Sequence, residues 1–118
     1  KKVCDLIRNR PDPILISSFN PYSIWFCGEL LPQTPRALLI TQNPKEKGNT
    51  FIFRHGLLAP VVKPHILHLD SRDLSVSVLS HYKKQEIPVS LWTVNDPEIG
   101  KSFLQAGALS LITDRLTP

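Results

Sequence analysis

Short apolar runs alternate with longer amphipathic stretches along this chain, and several of the apolar runs end abruptly in polar residues. The clearest cases are residues 89–94, which are followed by Asn95 and Asp96, and residues 109–112, which are followed by Thr113 and Asp114. Buried parallel strands of α/β proteins are apolar where they cross the sheet, and here we expect polar residues where they emerge. Because ligands bind at the carboxyl ends of such strands, these polar residues are candidates for a functional rim.

The same pattern predicts strands and helices in strict alternation over the whole chain. Strands are expected at residues 14–19, 36–41, 66–70, 87–95 and 109–114. Helices are expected at residues 1–10, at 22–31, briefly within 51–58, after a cap at Ser71 or Asp73, and from Asp96-Pro97 to a stop at Gly107. Residues 42–50 are predicted to form a rim loop. Alternation without hairpin signals indicates a mostly parallel sheet with helical crossovers.

Two α/β architectures fit this alternation. One is an open five-stranded doubly wound sheet, which is complete in about this length. The other is the carboxyl-terminal half of a (β/α)8 barrel of the TIM type, which needs eight strands and roughly 250 residues. The chain opens on a helix with no preceding strand and contains no Met. We therefore expect the sequence to begin inside a longer one or to be processed, and we favour the barrel portion.

Composition excludes several classes of function. The net charge of +4 arises from scattered Lys and Arg residues that are not interleaved with aromatic residues, so nucleic acid is not an expected partner. No apolar run approaches the roughly 18 residues that a membrane span needs. The glycines do not form a phosphate-binding motif. Cys4 and Cys27 have neither the spacing of a metal site nor that of a disulfide framework, and this usage suits a reducing cytoplasm.

Few residues suggest chemistry on their own. His65 and His68 would lie on opposite faces of a strand and could not share a metal, whereas Asp70 shares the face of His68. Each could act at a rim or be structural. Asp96 before Pro97 has the pattern of a helix cap. Trp92, close to the polar end of its strand, either packs against a ligand or fills the core.

Five segments together resemble the glycerophosphodiester phosphodiesterase family. They are Ile-Ser-Ser-Phe-Asn-Pro at 16–21, Leu-Pro-Gln-Thr-Pro-Arg-Ala-Leu-Leu at 31–39, Leu-His-Leu-Asp at 67–70, Trp-Thr-Val-Asn-Asp at 92–96 and Ile-Thr-Asp-Arg at 112–115. Their order and spacing are those of the carboxyl-terminal half of that family, from about Asp12 to Pro118. One departure is residues 107–111, Gly-Ala-Leu-Ser-Leu, where the family usually has Gly-Val-Asp-Gly-Ile. The end of the chain, residues 115–118, also departs from the usual Arg-Pro.

The resemblance implies a (β/α)8 barrel that hydrolyses glycerophosphodiesters to an alcohol and glycerol 3-phosphate. It also implies a divalent cation, Mg or Ca, held by Glu and Asp carboxylates, with two His as general acid and base. Those groups belong to the amino-terminal half of the family, so we expect no catalytic residue and no metal ligand in residues 1–118. The substrate-binding residues implied here are Phe19 and Trp92 as an apolar wall, with Ser18, Asn95 and Asp114 as polar groups at the rim.

A half-barrel has a physical difficulty, because its two open parallel edges expose unpaired N–H and C=O groups. We therefore expect a missing amino-terminal half or a partner chain to complete the barrel. The 118 residues alone are not expected to hydrolyse a substrate. The alternative is a non-catalytic half-barrel that binds a ligand or a partner.

Overall fold

Five parallel strands form a single sheet in a computed structural model that describes residues 1–43, 52, 55–72 and 74–115. The strands lie side by side in the order in which they occur along the chain. They are β1 (Ile16–Ser18), β2 (Arg36–Ile40), β3 (Ile66–Asp70), β4 (Val89–Trp92) and β5 (Ser110–Leu111). Every predicted strand is present, although each except β3 is shorter than the apolar run that predicted it.

Helices precede the sheet and connect its strands. They are α1 (Lys2–Ile7), α2 (Pro21–Leu30), α3 (Ala59–Val62), α4 (Val76–Lys84) and α5 (Pro97–Gln105). The chain thus repeats one unit, in which a strand is followed by a helical crossover segment and then by the next parallel strand. This is the unit that the alternating sequence pattern predicts.

One face of the sheet carries the hydrophobic core. Leu38 of β2 lies beside Leu67 of β3, and Leu67 lies beside Val89 of β4, so these side chains share a face. The same buried cluster includes Ile24 of α2, Leu79 of α4 and Phe103 of α5. The connecting helices therefore cover this face, and the opposite face, here called the inner face, is turned away from them.

Strand order and one-sided helix packing distinguish the two expected architectures. A doubly wound sheet reverses its strand order at a switch point and carries helices on both faces. A barrel places neighbouring strands in sequence order and keeps the helices outside. The sheet has the second arrangement, which confirms the barrel portion and excludes the open doubly wound alternative for the described residues.

The capping predictions have mixed outcomes. Asp96 caps α5 as predicted, since its side chain accepts hydrogen bonds from the N–H groups of Glu98 and Ile99. Asn20, which the sequence did not single out as a cap, accepts hydrogen bonds from the N–H groups of Tyr22 and Ser23. Gly107, with φ of +107°, follows α5 as predicted, because a positive φ is unfavourable for a residue with a Cβ.

The cap predicted at Ser71 is wrong. The Ser71 hydroxyl donates instead to the Thr93 carbonyl at 3.1 Å, and α4 begins after Ser75. Asp73, the other predicted cap, lies outside the described residues. So do most of the predicted rim loop at 42–50 and residues 51, 53 and 54 of the predicted short helix, and α3 begins just after that stretch.

Candidate functional site

The inner face carries polar side chains in the middle of the sheet. His68 of β3 lies beside Ser90 of β4, and Ser90 lies beside Ser110 of β5. The two serine hydroxyls are 2.5 Å apart and form a hydrogen bond across the strands. Ser110 stands where the resembled family usually has glycine. Polar residues on this face contrast with the aliphatic residues on the helix-covered face.

Asp70 ends β3 at the carboxyl edge of the sheet and anchors a polar cluster. Its carboxylate accepts hydrogen bonds from Thr41 Oγ1 at 3.0 Å, from the backbone N–H of Arg72 at 3.1 Å, and from Arg72 Nε and Nη2 at 3.0 and 2.5 Å. Asp70 is only 3% exposed, whereas the Arg72 side chain is 62% exposed. The buried carboxylate therefore holds a cationic side chain at the rim.

The environment of Asp70 favours its ionised form. Burial alone raises the pKa of the carboxyl group, but the hydrogen bonds from Arg72 and Thr41 and the Arg72 charge lower it by more. The net pKa lies below the usual value, and both oxygens are engaged. Asp70 is consequently suited to positioning Arg72 rather than to accepting a proton at neutral pH.

The two histidines of this region occupy different environments. His68 lies on the inner face with only 7% of its surface exposed, and burial lowers its pKa below the ordinary value of 6.5. His65 precedes β3, where its Nδ1 accepts a hydrogen bond from the backbone N–H of Arg36 at 3.2 Å. His68 shares its face with Asp70, as alternation along the strand predicts.

Phe19 and Trp92 meet above the carboxyl ends of the strands. Their ring centroids are 5.7 Å apart with an interplanar angle of 82°, an edge-to-face contact. Trp92 Nε1 donates to the His68 carbonyl at 3.0 Å, which satisfies the indole N–H and fixes the ring. The peptide bond after Trp92 is cis. The sequence left open whether Trp92 fills the core or borders a site, and the structure places it at the rim, partly exposed.

Ser18 and Asn95 each accept hydrogen bonds from neighbouring groups of the protein. Ser18 lies beside Leu38 in the register of β1 and β2, on the helix-covered side, and its hydroxyl accepts the Asn20 N–H. Asn95 Oδ1 accepts hydrogen bonds from Thr113 Oγ1 and from the backbone N–H of Asp114, both at 3.0 Å. Asn95 thereby ties the segment after β4 to the segment after β5.

The side chains of the described residues do not fit a divalent cation. Within residues 1–43, 52, 55–72 and 74–115, no group of three or more His, Cys, Asp or Glu residues could hold a metal ion. Asp70, the buried carboxylate of the rim, already bonds to the Arg72 guanidinium. Its oxygens are therefore committed to a neighbouring positive charge.

Sequence reasoning did not single out Thr41 or Arg72. Thr41 carried a weak signal, since it is polar at a strand end. Arg72 carried none, because an arginine after a strand is usually a solvated surface residue.

A cavity of about 540 Å³ lies at the other end of the sheet, near the start of β1 and β2, and residues such as Arg10, Leu15 and Pro35 line it. In barrels of this class the amino ends of the strands contribute stability, and function lies at the carboxyl ends. We therefore take the Phe19, Asp70, Arg72 and Trp92 region as the candidate site. Among the described helices, none has the length and apolar character needed to cross a membrane.

Comparison with known proteins confirms the resemblance. The model of the glycerophosphoryl diester phosphodiesterase family matches residues 1–117. The uncharacterized protein YqiK of Bacillus subtilis (strain 168) is 30% identical over 116 residues, which are 97% of this chain and 45% of that protein.

Solved structures show the same fold. A phosphodiesterase of Oleispira antarctica, solved in complex with the product sn-glycerol-3-phosphate, superposes with a TM-score of 0.73 at 17% identity, over 94% of this chain and 43% of its own. A glycerophosphodiester phosphodiesterase of Thermotoga maritima gives a TM-score of 0.66 at 23% identity, over 95% of this chain and 47% of its own. The chain thus spans less than half the length of the relatives it matches.

His68 should make stability depend on pH. Its folded pKa lies below the ordinary 6.5, because the folded protein disfavours the protonated imidazole. The free energy of unfolding that neutral, buried His68 contributes is therefore complete above pH 6.5 and is lost as the pH falls through the folded pKa. The folded pKa of Asp70 also lies below its ordinary value of 3.8, so protonation of this carboxylate lowers the free energy of unfolding further at still lower pH. We expect the Tm of His68→Gln to fall less than that of the wild type between about pH 7.5 and pH 5. His81→Gln is the matched loss of an exposed imidazole, and equal slopes for His68→Gln and the wild type would contradict the prediction.

Arg72→Ala should destabilise the protein by about 1–3 kcal/mol, because it leaves the buried Asp70 carboxylate without its cation. Urea denaturation measures this change. Arg8→Ala is the control, since the Arg8–Asp5 pair is about half exposed at 3.7 Å and should contribute less than about 1 kcal/mol. Equal losses in the two variants would show that Asp70 does not depend on Arg72.

Proposed function

This chain belongs to the glycerophosphoryl diester phosphodiesterase family, and we propose that residues 1–118 are the carboxyl-terminal portion of its barrel domain. The proposed activity of the complete barrel is hydrolysis of glycerophosphodiesters to an alcohol and glycerol 3-phosphate. The observation that carries this proposal is the Phe19–Trp92 pair at the carboxyl rim of a parallel sheet. That is where barrels of this type bind their ligands.

The aromatic pair suits the carbon skeleton of a glycerol moiety. Phe19 offers a half-exposed ring, and Trp92 is held edge to face against it while its N–H is bonded to the main chain. With its polar atom satisfied, the indole presents apolar surface rather than an unmet donor. We propose that these two rings form one wall of the substrate pocket.

Arg72 suits the anionic part of the same substrate. A phosphodiester carries a negative charge. Asp70, which also accepts the Thr41 hydroxyl, holds the Arg72 guanidinium at the rim, where the 62% exposed side chain would meet that charge. Asn95, which joins the segments after β4 and β5, would keep that part of the rim in place. Asp114 and Ser18 remain proposed polar groups of the rim region.

Catalysis itself is proposed to depend on groups outside these residues. The family resemblance implies a divalent cation, Mg or Ca, and the described residues do not fit one. We propose that the cation ligands and the acid and base histidines come from the part of the barrel that this chain does not supply. The residues described here would bind and orient the glycerophosphodiester against those groups.

The remaining strands would pair with the two open edges. β1 and β5 each have one neighbour in the sheet, so each presents an unpaired row of backbone groups. We propose that an amino-terminal half or a partner chain completes the barrel there. We also propose a cytoplasmic location and a role in phospholipid turnover, in keeping with two cysteines that form no disulfide.

A second candidate is a half-barrel that binds without catalysis. The described residues include the aromatic pair Phe19 and Trp92 but no metal-holding group, which is the set that this candidate requires. Isothermal titration with sn-glycerol 3-phosphate, together with a hydrolysis assay, separates the two. Binding without turnover in the natural gene product would select the binding module.

Trp92→Ala should raise the KM for glycerophosphocholine or glycerophosphoethanolamine by roughly tenfold, because the wall against the glycerol carbons is lost. Trp92→Phe should have a smaller effect, since it keeps an aromatic ring. Steady-state kinetics on the natural gene product that carries this chain measure both. Trp25→Ala removes a partly exposed Trp of α2 and is the matched control, with KM expected to stay at the wild-type value. A wild-type KM in Trp92→Ala would overturn the proposed wall.

A further inference from the structure

Cys4 of α1 and Cys27 of α2 lie side by side although 23 residues separate them in sequence. Their sulfur atoms are 3.4 Å apart, and the two thiols share a hydrogen bond. Cys4 is fully buried and Cys27 is 9% exposed. Both are free thiols. The proposed phosphodiesterase chemistry gives no role to either residue.

We propose that Cys4 and Cys27 form a reversible disulfide under peroxide stress and that this bond fastens α1 to α2. A disulfide needs its sulfur atoms about 2.05 Å apart, so closure requires an approach of little more than 1 Å. Rotation of the two side chains or a small shift of α1 supplies that movement. Cytoplasmic disulfides, where they occur, are usually transient and redox-sensing.

An oxidant reaches the pair through Cys27, which keeps 9% of its surface exposed. Local opening of a surface helix costs less free energy than global unfolding. The thiols therefore become reachable by a small oxidant without loss of the fold.

Charge and burial around Cys27 determine how fast its thiol is oxidised. Burial, and next the neighbouring Cys4, raise the pKa of the Cys27 thiol, while the Arg36 charge lowers it by less. Arg36 is itself buried and bonds through Nη1 to the carbonyls of Leu31, Pro32 and Thr34. Thiolate is therefore scarce at neutral pH, and oxidation should be slow there and faster at alkaline pH.

The oxidation balances with hydrogen peroxide as the oxidant. The Cys27 thiolate attacks the O–O bond, giving a Cys27 sulfenic acid and hydroxide, which takes a proton to become water. The Cys4 sulfur then attacks the Cys27 sulfur, the S–OH bond breaks, and the hydroxyl leaves as water with the Cys4 proton. The second step outcompetes further oxidation because the two sulfur atoms are already neighbours. A dithiol reductant reverses the bond by thiol–disulfide exchange.

Intact mass and non-reducing peptide mapping test this proposal on the natural gene product. After a small molar excess of hydrogen peroxide, we expect a loss of two hydrogen atoms, a cross-linked pair of peptides containing Cys4 and Cys27, and reversal by dithiothreitol. The oxidised protein should melt on the order of 10 °C above the reduced protein, since the bond closes a loop. This comparison uses one wild-type sample in two redox states, so it does not depend on a variant folding.

Cys4→Ser and Cys27→Ser each serve as a control and should abolish both the mass change and the thermal shift. Three results would overturn the proposal. They are a gain of oxygen atoms with no cross-link, a cross-link of either residue to a different cysteine, and two thiols that stay fully alkylatable after peroxide treatment at alkaline pH.

Discussion

Lateral pairing of five parallel strands in chain order is the constraint on which the rest of the structure depends. It places Leu38, Leu67 and Val89 on one face, where the helices bury them, and it leaves His68 and Ser90 on the other. A slip of one residue would exchange these faces and expose the core. The same pairing aligns all strand ends, so the residues after each strand gather at one edge.

The candidate site is a consequence of that alignment. Asp70 and Trp92 lie beside each other in the register of β3 and β4. From this shared position, Asp70 holds Arg72 through a charged pair, and Trp92 reaches across to Phe19 beyond the first strand. Two aromatic rings and the Arg72 guanidinium thus stand at one rim. The proposed substrate, a glycerophosphodiester, has a carbon skeleton and an anionic phosphodiester that would meet them.

Local signals in the sequence were sufficient for the elements and for some of their ends. Apolar runs predicted the five strands, and the Asp96-Pro97 pair predicted a helix start, because a cap bonds to backbone only two or three residues away. The cap at Ser71 failed because its hydroxyl found a partner 22 residues distant. A sequence window does not contain such a competitor.

Contacts between remote segments were likewise beyond sequence reasoning. Thr41 bonds to Asp70 from 29 residues away, and Cys4 meets Cys27 from 23 residues away. Both pairs depend on how elements pack, and neither has a spacing that marks it. Family resemblance supplied what physics alone did not: the choice of Phe19 and Trp92 as a pair, which the structure brings to 5.7 Å.

The central claim is that these residues supply one part of a barrel whose catalytic groups lie elsewhere. Native mass spectrometry of the species that hydrolyses a glycerophosphodiester, purified by activity from the natural source, tests it most directly. The account predicts an active species with the mass of a complete barrel of roughly 250 residues or more, as one chain or as a complex. An active species of 13.3 kDa would contradict it.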